Sequence, residues 1–290
     1  MKGLIVKGIA GFYYVRNDQG EVIQCKARGN FKNEGIVPHV GDLVEYQQLE
    51  DGDGIVEEIF PRKNQFIRPP IANVDLIVIV VAASKPKPNP FIIDRFLVMA
   101  ERSNTDIVLC LNKVDDAKQK DIDAFDQIYD NIYKVIKTSA ENGEGLEELK
   151  EVLKGRKTAF AGPSGVGKST LINALQPGFK LETGEISNKT KRGKHTTRHV
   201  EIFEMDFGAM VYDTPGFTSF ELLEANEAEL QLFYPELAKF KGQCRYDDCV
   251  HIKEPECKVL EALERGEIHP SRYESYKGQI EEIRNKRKYK

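Results

Sequence analysis

The feature that most limits how this chain can fold is eight residues long. Gly162-Pro163-Ser164-Gly165-Val166-Gly167-Lys168-Ser169 fits G-x-x-x-x-G-K-[ST], between an apolar stretch, Thr158 to Ala161, that reads as a strand and an amphipathic one, Lys168 to Leu175, that reads as a helix. In a strand, glycine turn and helix so ordered, successive backbone N–H groups curl around phosphate oxygens at the positive end of the helix. Lys168 then reaches the outer phosphates, Ser169 offers an oxygen to Mg²⁺, and Thr170 completes the phosphate-contacting set with Pro163, Ser164 and Val166. A tight turn without a ligand is the rival interpretation, and it leaves the placement of strand and helix unexplained.

The surroundings suit an α/β fold. From Asn73 onward, strands (the apolar Leu76 to Ala82, Ile107 to Leu111, Tyr133 to Lys137, Thr158 to Ala161 and Met210 to Tyr212, and a polar-alternating piece near Val200 to Phe203) alternate with helical stretches (Ile93 to Arg102, Ile122 to Tyr129, Leu146 to Leu153, Lys168 to Leu175), which implies a parallel sheet covered on both faces. Lys85 to Pro90 reads as a stiff exposed connection. The first 65 or so residues read instead as short strands, Leu4 to Val15, Glu21 to Lys26, Leu43 to Leu49 and Ile55 to Ile59, with turns at Asn17 to Gly20 and Asp51 to Gly54. Five short strands close most readily as an OB-like β-barrel, with an SH3-like barrel as the rival. After about Thr218 the chain becomes acidic and helical, then carries a cysteine cluster, and ends in a helix, Arg272 to Ile283, with a basic tail. The expected organisation is a barrel over 1–68, an α/β domain over 69–220 and a helical domain over 221–290.

Two further motifs surround the glycine loop. Asp213-Thr214-Pro215-Gly216 follows the strand Met210 to Tyr212, where a carboxylate would meet Mg²⁺ and the Gly216 N–H the terminal phosphate. Asn112-Lys113-Val114-Asp115 ends the strand Ile107 to Leu111; the Asp115 carboxylate can accept two N–H donors from a guanine edge, the Lys113 stem can cover a ring face, and Asn112 can bridge loops. The alternative for Asp115 is a helix cap. Thr138-Ser139-Ala140, directly after the strand Tyr133 to Lys137, would set backbone donors against the guanine carbonyl.

Charge and cysteine content narrow the partners. With 42 basic and 46 acidic side chains the net charge is -4, so any nucleic-acid binding must come from local patches. Lys189 to His199 is such a patch, with five Lys/Arg and no acid; its place between the glycine loop and Asp213 makes it a switch segment in which Thr196 or Thr197 meets Mg²⁺. The longest apolar run, Leu76 to Ala83, falls well short of the roughly 20 residues of a membrane span, and no signal peptide is read at the start. Five cysteines without a secretory signal argue for a reducing compartment, where Cys244-x4-Cys249-x-His251-x5-Cys257 suits a closed, structural Zn²⁺ site better than a disulfide. Cys25 and Cys110 read as core thiols.

The motifs from Asn73 to about Phe220 resemble those of the P-loop GTPases, in an unusual order: the glycine loop, first in most members, here follows Asn112 to Asp115 and Ser139-Ala140. The strand order survives only if the usual chain ends are joined, through Lys154 to Lys157, and new ends are cut after Asp213 to Gly216. A circularly permuted P-loop GTPase domain, preceded by an OB-like barrel and followed by a Cys/His cluster, resembles the ribosome-small-subunit-dependent GTPases, the RsgA or YjeQ family. The resemblance implies a cytoplasmic, monomeric GTPase stimulated by the small (30S) ribosomal subunit and its rRNA, acting in late subunit maturation. It also implies GTP/GDP, Mg²⁺ and one structural Zn²⁺ on Cys244, Cys249, His251 and Cys257. Some relatives carry a long basic segment before the barrel, and contacts made by such a segment are not expected here. A GTP-gated RNA-binding switch with incidental hydrolysis is the second reading, and a metabolic P-loop ATPase or kinase the third. Phe217 stands where many GTPases have a water-orienting Gln, so His195, beside Thr196-Thr197, is the candidate for that task. Phe217 to Leu232 should carry nucleotide state into the cysteine-rich region.

Overall fold

The computed structural model describes residues 1–50, 52–178, 200–213 and 225–288. The N-terminal strands are β1 (Lys2–Ile9), β2 (Phe12–Asn17) and β3 (Val22–Ala27), followed by the short helix α1 (Gly29–Asn33) and the strands β4 (Leu43–Gln48) and β5 (Gly54–Ile59). They pair β1-β2-β3-β5-β4, and β4 returns to β1, which closes a five-stranded barrel with OB-like order. The stretch Leu4 to Val15, read as a single range, holds two strands and so completes the expected five. Ala10 and Gly11 both take positive φ, 50° and 87°, and fold it into a hairpin that its nearly continuous apolar run does not announce. Ile5, Val15, Ile23, Val44, Tyr46 and Val56 fill the barrel.

Two short strands, β6 (Gln65–Phe66) and β7 (Ile71–Ala72), form a hairpin that leads into the second body. There the order is β8 (Leu76–Ala82), α2 (Pro90–Arg102), β9 (Asp106–Asn112), α3 (Gln119–Tyr129), β10 (Lys134–Thr138), α4 (Leu146–Leu153), β11 (Lys157–Ala161), α5 (Lys168–Leu175), β12 (Val200–Glu204) and β13 (Met210–Asp213). The sheet runs β10-β9-β8-β11-β13-β12, parallel except for β12. Every residue of β8 is buried because both faces are covered. Ile77, Ile79 and Val81 pack with Phe96 of α2 and Phe125 of α3, while Leu76, Val78 and Val80 pack with Leu149 of α4 and Leu171 of α5. The Lys154-Gly155-Arg156 link carries the chain from α4 on the flank to β11 in the centre, which is the join expected of a permuted domain.

The C-terminal region holds α6 (Glu227–Leu230), α7 (Pro235–Ala238), α8 (Lys258–Glu264) and α9 (Pro270–Lys288). Its apolar cluster includes Val98 of α2, so this region is packed on the α/β domain rather than tethered beside it. The barrel is joined as firmly. β1 pairs antiparallel with β12, Lys7 opposite Glu201, making one eleven-stranded sheet, and Lys7 Nζ lies 2.7 Å from the Glu201 carboxylate. Beside that seam the Tyr212 hydroxyl donates to the Ala72 carbonyl at 2.6 Å, a contact a side chain at Gly41 would block. No described helix is long and apolar enough to cross a membrane.

Candidate functional site

The motif loops gather where parallel strands end and helices begin, the usual crevice of an open α/β sheet. At the end of β11, Gly162, Gly165 and Gly167 take φ of 139°, 81° and 95°, which L side chains resist. Gly167 is also fixed by proximity, since a Cβ there would lie 2.6 Å from Asn112 Nδ2. Gly167 opens α5 without a side-chain cap, so the first N–H groups of the helix have no side chain competing for them. Lys168 Nζ donates to the Gly162 and Pro163 carbonyls at 2.7 and 2.8 Å, curled over the loop it serves. Burial lowers its pKa from 10.5 to about 8. Ser169 stands on the first turn of α5 with exposed Thr170 beside it, and Ser164 is exposed at the loop crest.

Asn112 ties this loop to the others. Its Nδ2 donates to the Val166 carbonyl at 3.0 Å, while its Oδ1 accepts from Thr138 Oγ1 at 3.2 Å and from the Ala140 N–H at 3.3 Å. Lys113, at φ 63°, donates from Nζ to the Gly165 and Lys85 carbonyls, both at 2.7 Å. The Lys85 to Pro90 run is therefore more than the connection it resembles in sequence, because its first carbonyl helps hold Lys113 in place. Asp115 lies in a 3-10 turn, Val114–Asp116, exposed, and its side chain caps no helix, which removes the alternative offered for it. The Ser139 N–H differs from expectation: it donates to the Glu144 carbonyl at 3.0 Å, closing its own turn, so of the two backbone donors only the long bond from Ala140 can be shared with a ligand.

Asp213 ends β13, the neighbour of β11, one step beyond the Tyr212–Ala159 pair. His195, Thr196, Thr197, Gly216 and Phe217 lie outside the described residues. A cavity of about 560 Å³ opens at the opposite end of the strands, by Leu76, Asp106 and Arg156, and includes no motif residue; its position at the strand starts places it away from the converging loops.

The Cys/His set is compact. Cys244 Sγ, Cys249 Sγ and Cys257 Sγ lie 3.6, 3.3 and 3.2 Å from His251 Nδ1, and Cys244 and Cys257 are 3.9 Å apart, with no disulfide among them. Bond lengths of about 2.3 Å to sulfur and about 2.0 Å to nitrogen put the ligand atoms of a tetrahedral zinc about 3.5 to 3.8 Å apart, so the donor set fits one. His251 Nε2 faces Gln231 Oε1 at 3.0 Å, which holds the proton on Nε2 and turns the Nδ1 lone pair inward. Gln231, twenty residues from His251, is not signalled by motif spacing, and Thr138, which the sequence offers only for its backbone, contributes its hydroxyl instead.

Sheet order, joined ends and converging loops together define a circularly permuted P-loop GTPase fold. The chain matches the RsgA GTPase family model over residues 59–223 and the RsgA N-terminal domain over residues 2–56. It is 47% identical over 289 residues to the small ribosomal subunit biogenesis GTPase RsgA of Caldanaerobacter subterraneus, covering 99% of this chain and 97% of the relative. The corresponding protein of Thermotoga maritima is 42% identical, at 99% and 98% coverage. Among solved structures, YjeQ from Thermotoga maritima aligns with TM-score 0.86 and 40% identity over 97% of this chain and 98% of that one. YloQ, described as a circularly permuted GTPase, aligns at 0.82 and 37% over 98% and 95%. The chain belongs to the RsgA GTPase family.

Proposed function

We propose that this chain binds guanine nucleotide at these loops and hydrolyses GTP to GDP and phosphate in the service of small ribosomal subunit biogenesis, the role for which its relatives are named. The observation that carries this is the Asn112 bridge to Val166 and Ala140, because it makes a base-reading loop and a phosphate loop one site. Gly162 through Gly167 wrap the phosphates, Lys168 neutralises them, and Ser169, Asp213 and one of Thr196 or Thr197 hold Mg²⁺. Asp115 reads the guanine N–H pair, Ala140 shares its N–H with the guanine carbonyl, and Gly216 offers its N–H to the terminal phosphate. Cys244, Cys249, His251 and Cys257 hold one Zn²⁺, which supplies a structural cross-link. Residues 1–68, 69–220 and 221–290 act as barrel, GTPase and zinc-binding units of a cytoplasmic monomer, with the Lys189 to His199 segment meeting rRNA phosphates.

The test is GTP turnover with and without purified small subunits, with GTP and ATP in competition, and retention of subunits by the chain loaded with a non-hydrolysable GTP analogue. Slow intrinsic turnover, strong stimulation by subunits and indifference to ATP are expected. Equal competition by ATP sinks the guanine assignment, and turnover unmoved by subunits sinks the ribosomal one.

A further inference from the structure

The orientation of Asn112 is set from behind by the Thr138 hydroxyl, and behind that hydroxyl stands a thiol that no motif includes. Exchanging its amide O and N would set Nδ2 against the Ala140 N–H, donor to donor, and Oδ1 against the Val166 carbonyl, acceptor to acceptor, so only one orientation satisfies both neighbours. In that orientation Oδ1 accepts and the single Thr138 hydroxyl proton is committed to it. The same Thr138 Oγ1 lies 3.2 Å from Cys110 Sγ. With its proton already used, the hydroxyl can only accept there, so the donor is the Cys110 S–H. Strand register fixes the arrangement: Thr138 stands opposite Asn112, and Cys110 opposite Ile136, two residues back on the same sheet. Cys110 and Thr138 are both 0% exposed, so water cannot stand in for either partner.

We propose that Cys110 is a positioning residue for the guanine site, the start of a one-way hydrogen-bond chain, Cys110 to Thr138 to Asn112 to the Val166 carbonyl, that joins the interior of β9 to the phosphate loop. The inference rests on the reading of Asn112 to Asp115 as the base-recognising loop. Burial pushes the Cys110 thiol up to about 12, so the S–H persists throughout the range in which the protein works. Cutting the chain at Cys110 frees the Thr138 hydroxyl to turn and removes the restraint that presents the Asn112 amide before nucleotide arrives.

The test compares Cys110→Val, which fills the space without a donor, Cys110→Ala, which leaves a hole, and Cys110→Ser, which restores a donor but buries a more polar atom. Release of a fluorescent N-methylanthraniloyl GDP is followed by stopped flow, and each variant is melted without nucleotide. Release should quicken roughly three- to tenfold in the Val and Ala variants, the span expected for one modest hydrogen bond, and return toward wild type in Ser even if Ser melts lowest. In a Thr138→Val background, Cys110→Val should change release less than about twofold, because the chain is already cut. Release rates that follow the melting order, or a full Cys110→Val effect persisting in that background, overturn the proposal. Wild-type protein that does not bind the probe at all overturns the guanine reading, and this inference with it.

Discussion

Arg272 Nη1 and Asp94 Oδ1 meet at 2.5 Å with both side chains fully buried, across the seam between α9 and α2. The same guanidinium donates to both carboxylate oxygens of Glu236 on α7, at 2.7 and 3.1 Å, and lies 4.6 Å from the Tyr234 ring, while the Tyr129 hydroxyl donates to Asp94. Burial alone raises the Asp94 pKa, and the Arg272 charge opposes it. Such a cluster adds little net stability over an apolar seam, but removing one partner strands buried charge.

Arg272→Ala should therefore lower stability by about 3–5 kcal/mol, because two carboxylates lose their counter-charge inside the seam. Denaturant melts and limited proteolysis check it, with cleavage expected first in the C-terminal helices. A loss under about 1 kcal/mol would show the cluster to be open to water.

Asp115→Asn replaces one acceptor oxygen with a donor while keeping the size, so it repels one guanine N–H and suits the oxygen of xanthine. GTP affinity should fall roughly 10- to 100-fold, the scale of hydrogen bonds to a charged group, and xanthosine triphosphate should compete better than GTP. Unchanged preference for GTP in competition binding would remove Asp115 from the base site.

Metal analysis of chain purified without chelator should find one zinc per molecule, lost in Cys249→Ala. Because site formation is coupled to folding, stripping the metal should loosen the region around Gln231, Tyr273 and Tyr276, whose side chains bond to His251 or to backbone of its loop. Amide exchange should rise there with GDP affinity little changed; zinc-free protein with an unaltered exchange pattern would refute the structural role.

How far these features could be read in advance depends on their range. The P-loop strand and helix, the alternating α/β pattern and the joined ends at Lys154 to Lys157 follow from local periodicity and motif order, and the fold shows all three. The hairpin at Ala10-Gly11 is hard to read because the run Leu4 to Val15 is apolar almost throughout and Ala-Gly is not among the usual two-residue hairpin pairs. Arg272 and Asp94 are 178 residues apart, and each reads as an ordinary exposed helix charge until the helices are packed. The sequence suggests a zinc region joined to the GTPase by one short connection after Asp213, whereas the Arg272 seam and Val98 add a second, buried attachment.

Hydrolysis needs a group to orient water, and Phe217 cannot supply one. Intrinsic GTPase rates on the order of 10⁻⁴ s⁻¹ leave roughly 10⁵-fold for a partner to add by completing a site. On the proposal that small-subunit RNA brings His195 to the attacking water, His195→Ala should abolish stimulated turnover with analogue binding and subunit association retained. Stimulation that survives assigns the water to another group.

Lys168 gives nucleotide binding a pH dependence whose sign is fixed by its burial. In the free protein its pKa is lowered to about 8; in the unfolded chain it is ordinary, 10.5. Bound phosphate favours the ammonium and raises the pKa again, so above about pH 8 binding must take up a proton. Affinity should be flat with respect to this group below pH 7 and weaken as pH rises through 8, by at most about tenfold per unit. The same shift acts on folding without nucleotide: the unfolded chain holds the extra proton between about pH 8 and 10.5, so this residue's contribution to stability grows with pH across that window. Calorimetry of GDP binding at pH 8.5, in buffers of different ionisation enthalpy and below the range where guanine N1 ionises, should detect net proton uptake that is absent at pH 6.5 for this group and lost in Lys168→Arg. Binding at pH 8.5 with no proton uptake would mean that Lys168 is already fully charged over the empty loop.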